Sequence, residues 1–181
     1  ARDTLLSAFD VLSETDYKER GKIYSQLAIY YALKGQMQRT KNYNELALSQ
    51  FQLSGDSALI ARETLELGVT LRELGNYSSA LDYLYRATKI AENQEIDDLL
   101  AESLLGMGFL YIYTDNLEEA LRLQKEALAL YKANKDTIGV SRVYSDIALT
   151  YSNWGKIDSA LSNQQISLAL RKKIKDNYNI F

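Results

Sequence analysis

Small and large nonpolar residues return along this chain every 40 positions, with polar breaks between them at the same interval. Ala28, Gly68, Gly108 and Ala148 form one series, and Tyr31, Leu71, Tyr111 and Tyr151 form another three positions later. Thr40, Ala80, Ala120 and Ala160 follow, then Ala47, Ala87, Ala127 and Ser167. Gly35, Gly75, Asp115 and Gly155 mark one break. Asp16, Asp56, Asp136 and Asp176 mark another, with Asp97 beside the exception, Ile96. Each series has a physical reading. A small residue lets the first helix of a pair approach the second, and the large one fills the space beside it. The small seats near 80 and 87 share one helix face. Glycine takes the left-handed bend that closes a helix. Aspartate accepts from the free N–H groups that open one. Asn116 followed by Glu119 has the form of a capping box, with Asn as the cap.

The pattern predicts paired helices at about 21–34 and 38–53, 57–74 and 77–93, 98–113 and 117–134, and 138–153 and 157–175. Residues 2–14 read as the second helix of an earlier, incomplete pair. The expected organisation is one domain. Residues 1–20 end a preceding partial repeat, and repeats occupy 21–60, 61–100, 101–140 and 141–176. Residues 177–181 would start a following element. Both ends are expected to be cuts through a longer array, because a solenoid end normally carries an atypical polar cap.

At these positions the chain resembles the tetratricopeptide repeat family. The second copy reads Leu67-Gly68, Leu71, Leu74-Gly75, Tyr77, Ala80-Leu81 and Ala87. The third reads Met107-Gly108, Tyr111, Leu117, Ala120-Leu121 and Ala127, and the fourth Ala148, Tyr151, Gly155, Ala160-Leu161 and Ser167. The likeness runs over about residues 21–175. There are departures. The interval is 40, against about 34 in the usual repeat. No proline closes the second helix, and the early Trp position holds Tyr24, Thr64, Leu104 and Tyr144. The first copy has Thr40 and Asn44 at seats that are usually small and large apolar.

Longer repeats of this kind are similar to those of bacterial regulatory and sensor proteins and of spindle and kinesin adaptors. The resemblance implies an all-α fold, a right-handed superhelical solenoid of antiparallel helix pairs. It implies a protein- or peptide-binding scaffold, the sensory or interaction region of a larger bacterial signalling or transcription-regulatory protein. Similar arrays stand ahead of a histidine kinase or a DNA-binding domain, which leaves open an accessory domain of an enzyme whose catalytic part lies elsewhere. A structural self-assembly module, a homodimer through the solenoid ends or groove, is a further reading. A soluble part in the cytoplasm or in the periplasm fits equally.

Composition narrows the chemistry. There is no proline, which suits uninterrupted helices. There is no cysteine and no histidine, which removes disulfides, thiolate or imidazole metal sites and the His-dependent catalytic triads. The net charge of −3 makes a poor general binder of phosphate backbones. The apolar run Leu104 to Tyr113 is too short to span a bilayer. Gly106-Met107-Gly108 lies inside a predicted helix with no strand before it, so it reads as packing and not as a phosphate loop. No catalytic, cofactor-binding or metal-binding residue is expected. Nor is direct nucleic-acid binding or membrane insertion by this segment.

The concave face of the first helices remains. By likeness to the family, its rows are Lys22, Arg62, Glu102 and Arg142; Gln26, Glu66, Gly106 and Asp146; and Ile29, Val69, Phe109 and Leu149. Arg62 with Glu66, and Arg142 with Asp146, are neighbours one helical turn apart. In the third copy Leu105, Phe109, Ile112 and Tyr113 share that side, while Leu104, Met107 and Tyr111 serve the other. This helix is apolar nearly all round, so both faces should be covered. The candidate partner-binding residues are Arg62, Glu66, Val69, Leu105, Phe109, Ile112, Tyr113, Arg142, Asp146 and Leu149. The expected partner is a protein or peptide, an amphipathic helix above all, with a second copy of the chain as the alternative. In the competing reading, neighbouring helices simply bury the apolar members.

Overall fold

The computed structural model describes residues 2–178. A short helix α1 (Arg2–Ser7) leads into a 3-10 turn (Ala8–Val11). Eight longer helices follow: α2 (Tyr17–Leu33), α3 (Met37–Ser54), α4 (Ser57–Glu73), α5 (Tyr77–Asn93), α6 (Asp97–Tyr113), α7 (Leu117–Ala133), α8 (Thr137–Asn153) and α9 (Ile157–Tyr178). No strand occurs among the described residues. The fold is all-α and built from helix pairs.

The packing divides into two compact units, one ending at Ile96 and one beginning at Asp97. In the first, α2 packs on α3, α3 on α4 and α4 on α5. In the second, α6 packs on α7, α7 on α8 and α8 on α9, and α6 also touches α8. The small-residue series explains these approaches. Ala47, Ala87, Ala127 and Ser167 are all fully buried. At Gly68 an added Cβ would lie 2.9 Å from the Leu84 Cγ and 3.3 Å from the Ala80 carbonyl oxygen. In the second unit Leu104, Leu105, Leu123, Tyr131, Val143 and Ile147 form one buried cluster. Each such large side chain contributes about 1.5–3 kcal/mol on leaving water.

The turns are more regular than the glycines alone imply. Left-handed residues fall every twenty positions, at Gly35, Gly55, Gly75, Glu95, Asp115, Lys135 and Gly155. At most of them the backbone closes in a Schellman pattern. Gln36 N–H donates to the Tyr31 carbonyl and Gly35 N–H to that of Ala32, both at 2.9 Å. Ile96 with Ala91 and Asp136 with Tyr131 repeat the longer of these bonds at the same distance. The turn at Gly55 differs, because there the Asp56 N–H donates to the Ser54 hydroxyl.

Several expectations are corrected. Residues 2–14 do not form one helix: α1 stops at Ser7, and the chain tightens into the 3-10 turn. That turn is tied down where the Phe9 ring packs 4.9 Å from the ring of Tyr24. Helix α2 begins at Tyr17, ahead of the expected start. Asp56 and Asp136 cap as expected, accepting from the N–H groups of Leu59 and of Ile138 and Gly139. Asp16 does not cap α2; its carboxylate accepts from the Ser13 N–H on the other side. Asp176 lies inside α9, which runs on to Tyr178. Of the segment 177–181, residues 179–181 lie outside the described residues. Asn116 does cap α7, through the Glu119 N–H, but the Glu119 carboxylate turns to Arg122, so the reciprocal half of the box is taken by an ion pair.

Candidate functional site

The chemistry of each unit begins in its core. Asn44 on α3 and Thr70 on α4 are both buried, and the amide donates to the hydroxyl at 2.9 Å. In the second unit Thr150 on α8 donates to the Gln124 Oε1 on α7, also at 2.9 Å. The two pairs stand 80 residues apart in the same phase of the repeat. They satisfy polar groups that would otherwise be stranded, and they account for the polar residue at the Asn44 seat.

The candidate partner-binding residues fall in both units. Arg62, Glu66 and Val69 lie on α4, with both charged side chains exposed and Val69 half-buried. On α6, Phe109 and Ile112 are half-buried and Tyr113 is 58% exposed. The rings of Phe109 and Tyr113 stand 5.1 Å apart. On α8, Arg142 is exposed, Asp146 half-buried and Leu149 41% exposed. Leu105 departs from this set. It is only 5% exposed and belongs to the core cluster, because α6 is covered by α7 on one side and touched by α8 on another. Its placement on the binding surface is therefore wrong. An apolar face all round the helix means core at that level and surface only one turn later.

The first unit holds a feature that reading the exposed rows missed. Glu63, on α4, is 3% exposed. The Ser25 hydroxyl of α2 donates to its Oε2. Its Oε1 is buried and has no partner among the described residues. Burial raises its pKa to about 7; the Ser25 hydrogen bond works against that rise and the charge of Glu66 adds to it. Glu63 lines a cavity of about 310 Å³, shared by α2, α3 and α4, whose lining also includes Arg62, Glu66, Val69 and the Asn44–Thr70 pair. One signal in the sequence could have found it. The same seat in the other three copies holds Ile23, Ser103 and Val143, so an acid stands where small or apolar residues belong.

With this geometry in view, the comparison with known proteins is direct. The family model for the tetratricopeptide repeat matches residues 19–93 and 99–173. The chain belongs to the tetratricopeptide repeat family. It is 34% identical over 92 residues to response regulator aspartate phosphatase E of Bacillus subtilis, a match covering 49% of this chain and 24% of that protein. It is 26% identical over 163 residues to the transcriptional activator NprA of Geobacillus stearothermophilus, covering 90% of this chain and 40% of that protein. The fold matches the Rap conjugation gene regulator of plasmid pLS20, solved in complex with the Phr* peptide, with a TM-score of 0.80 at 17% identity. That match covers 94% of this chain and 46% of the other. The chain thus spans less than half the length of these relatives. No helix among the described residues is long and apolar enough to cross a membrane.

Proposed function

We propose that this chain is the ligand-binding repeat region of a larger bacterial regulatory protein, and that its ligand is a peptide or a short protein segment. The observation that carries this reading is the aromatic pair Phe109 and Tyr113 on α6, half-buried and 58% exposed respectively, with rings 5.1 Å apart, on a helix touched by α8, which carries the exposed Arg142 and Leu149. Aromatic anchors ringed by charge are a common make-up of peptide-binding surfaces. The relatives' names add support, since one is an activator of transcription and one was solved with a peptide. A third is named a phosphatase, but this chain spans only 24% of it, and binding, not catalysis, is what we assign to these residues. The test is selection of a random displayed peptide library on the native chain and on the Phe109→Glu/Tyr113→Glu variant, both checked for helicity. Peptides enriched by the native chain should lose at least about tenfold in affinity for the variant. Equal enrichment would overturn the reading.

A second reading has its own observation. Helix α9 leaves Ile157, Leu161 and Leu168 more than half exposed, an apolar face able to meet a second copy. Sedimentation at rising concentration tests it: a mass that doubles in the native chain and not in Leu161→Glu/Leu168→Glu would establish self-assembly.

A further inference from the structure

Helix α9 repeats, forty residues on, the face by which α7 meets α8. Leu117, Leu121 and Gln124 of α7 are buried, Leu121 at 9% exposure. The equivalent Ile157, Leu161 and Gln164 of α9 are exposed, Leu161 at 57%, and Leu168 follows them one turn later. These four seats alternate by four and three residues, the spacing of a seam that packs against another helix. Two features separate this seam from that of α7. Arg171 replaces Tyr131, whose ring packs so closely on Gly139 that a Cβ there would collide with it. The Arg171 guanidinium turns back to the Ser145 hydroxyl of α8 at 3.1 Å, so no ring is presented to a helix of the α8 kind. The charges beside the seam also have opposite signs at its two ends. Asp158 stands before Leu161 and Lys172 after Leu168, on the same flank and both exposed. They lie roughly 20 Å apart along the axis and cannot pair within one helix.

Such a seam is complementary to itself once reversed. We propose that the partner of α9 is the α9 of a second copy, running antiparallel about a two-fold axis near Gln164. The inference rests on the self-assembly reading and deepens it, giving the partner helix, its direction and its register. Reversal about that axis sets Leu161 against the second copy's Leu168, and Asp158 beside the second copy's Lys172, each contact made twice by symmetry. Gln164 meets its own counterpart, and a primary amide carries both the donor and the acceptor for that pair. A parallel pairing would instead place like charges side by side at both ends of the seam.

The experiment is sedimentation equilibrium of the native chain and of charge-exchanged variants, each checked for helicity. Asp158→Lys and Lys172→Asp should each raise the dissociation constant of the dimer about tenfold, and the two together should restore it. Direction is read separately. The chain has no cysteine, so Gln164→Cys and Ile157→Cys each supply a single thiol. Under mild oxidation Gln164→Cys should give a covalent dimer and Ile157→Cys should not, because a disulfide needs closely placed Cα atoms and only a seat near the axis meets itself. A double exchange no better than either single one, or equal cross-linking at both seats, would overturn the antiparallel register. Self-assembly through α9 would still stand if Leu161→Glu/Leu168→Glu abolished the dimer. A native chain that stays monomeric at every concentration would overturn both. A full-length protein that is monomeric, with the α9 amides shielded from exchange, would assign the face to another segment of that protein and overturn the inference as well.

Discussion

The Asn44 side-chain amide donates to the Thr70 hydroxyl at 2.9 Å, joining the second helix of one pair to the first helix of the next inside the core. The Thr150 hydroxyl and Gln124 make the same connection in the second unit with the donor role reversed. Between these two phases the equivalent seats hold Leu84 and Leu110, both buried. Each seat, taken by itself, therefore accepts either a polar or an apolar buried residue.

A mismatch should be costly. Thr150→Val strands the Gln124 Oε1, which is almost wholly buried, and should destabilise the chain by about 1–3 kcal/mol. Adding Gln124→Leu should recover most of that loss, because it removes the stranded group and leaves the residue that the equivalent seat already buries as Leu84. Urea unfolding of the two single variants and the double variant measures the coupling directly.

Glu63 should make stability fall as pH rises. Its folded pKa, about 7, lies above its ordinary value of 4.5, so between those pH values the native state holds a proton that the unfolded chain releases. The stabilising neutral form is fully present below about pH 4.5 and is lost as pH passes 7. Relative to Glu63→Gln, the native chain should lose roughly 3 kcal/mol across this window. Parallel melts from pH 4.5 to 8 check it, and a constant difference between the two proteins would contradict the assignment.

The corrected position of Leu105 has a mutational signature. Leu105→Ala removes a buried core side chain and should cost about 2–5 kcal/mol. Tyr113→Ala, eight residues along the same helix and largely exposed, should stay within about 0.5 kcal/mol. Chemical denaturation of both variants separates core from surface.

Three turns, at Glu95, Asp115 and Lys135, carry a side chain where glycine would be easier. Glu95 and Lys135 hold φ values of 55° and 57°. Glu95→Gly and Lys135→Gly should each stabilise the chain by about 1 kcal/mol, while Gly75→Ala should cost about 1–2 kcal/mol. Thermal unfolding should show the two signs.

The helix pairs were readable because their period is long, repeated and enforced by packing. Ala47, Ala87 and Ala127 had to be small, and they are fully buried. The turns at Glu95 and Lys135 were not readable, because backbone hydrogen bonds impose the left-handed bend on residues that do not announce it. The 3-10 turn after α1 depends on Phe9 meeting Tyr24, a contact outside the repeat phase. Among the candidate residues, Tyr113 and Leu149 are exposed and Phe109 is half-buried, whereas Leu105 belongs to the core, because helical spacing puts Leu105 and Phe109 on one side of α6 without telling how far α7 and α8 cover it. Glu63 went unnoticed because it occupies an inward seat, where one letter out of pattern was the whole of its signal.

The twenty-residue spacing of the left-handed turns sets how this chain can change in length. One residue inserted within α7 would rotate everything beyond it by roughly 100° and carry Tyr131 away from its buried cluster. Substitutions are absorbed one seat at a time, but a deletion or insertion inside a helix misaligns every seat downstream of it. Among descendants of such a sequence, surviving changes in length should therefore arrive as whole helix-and-turn blocks, and the measure of the chain should outlast its letters.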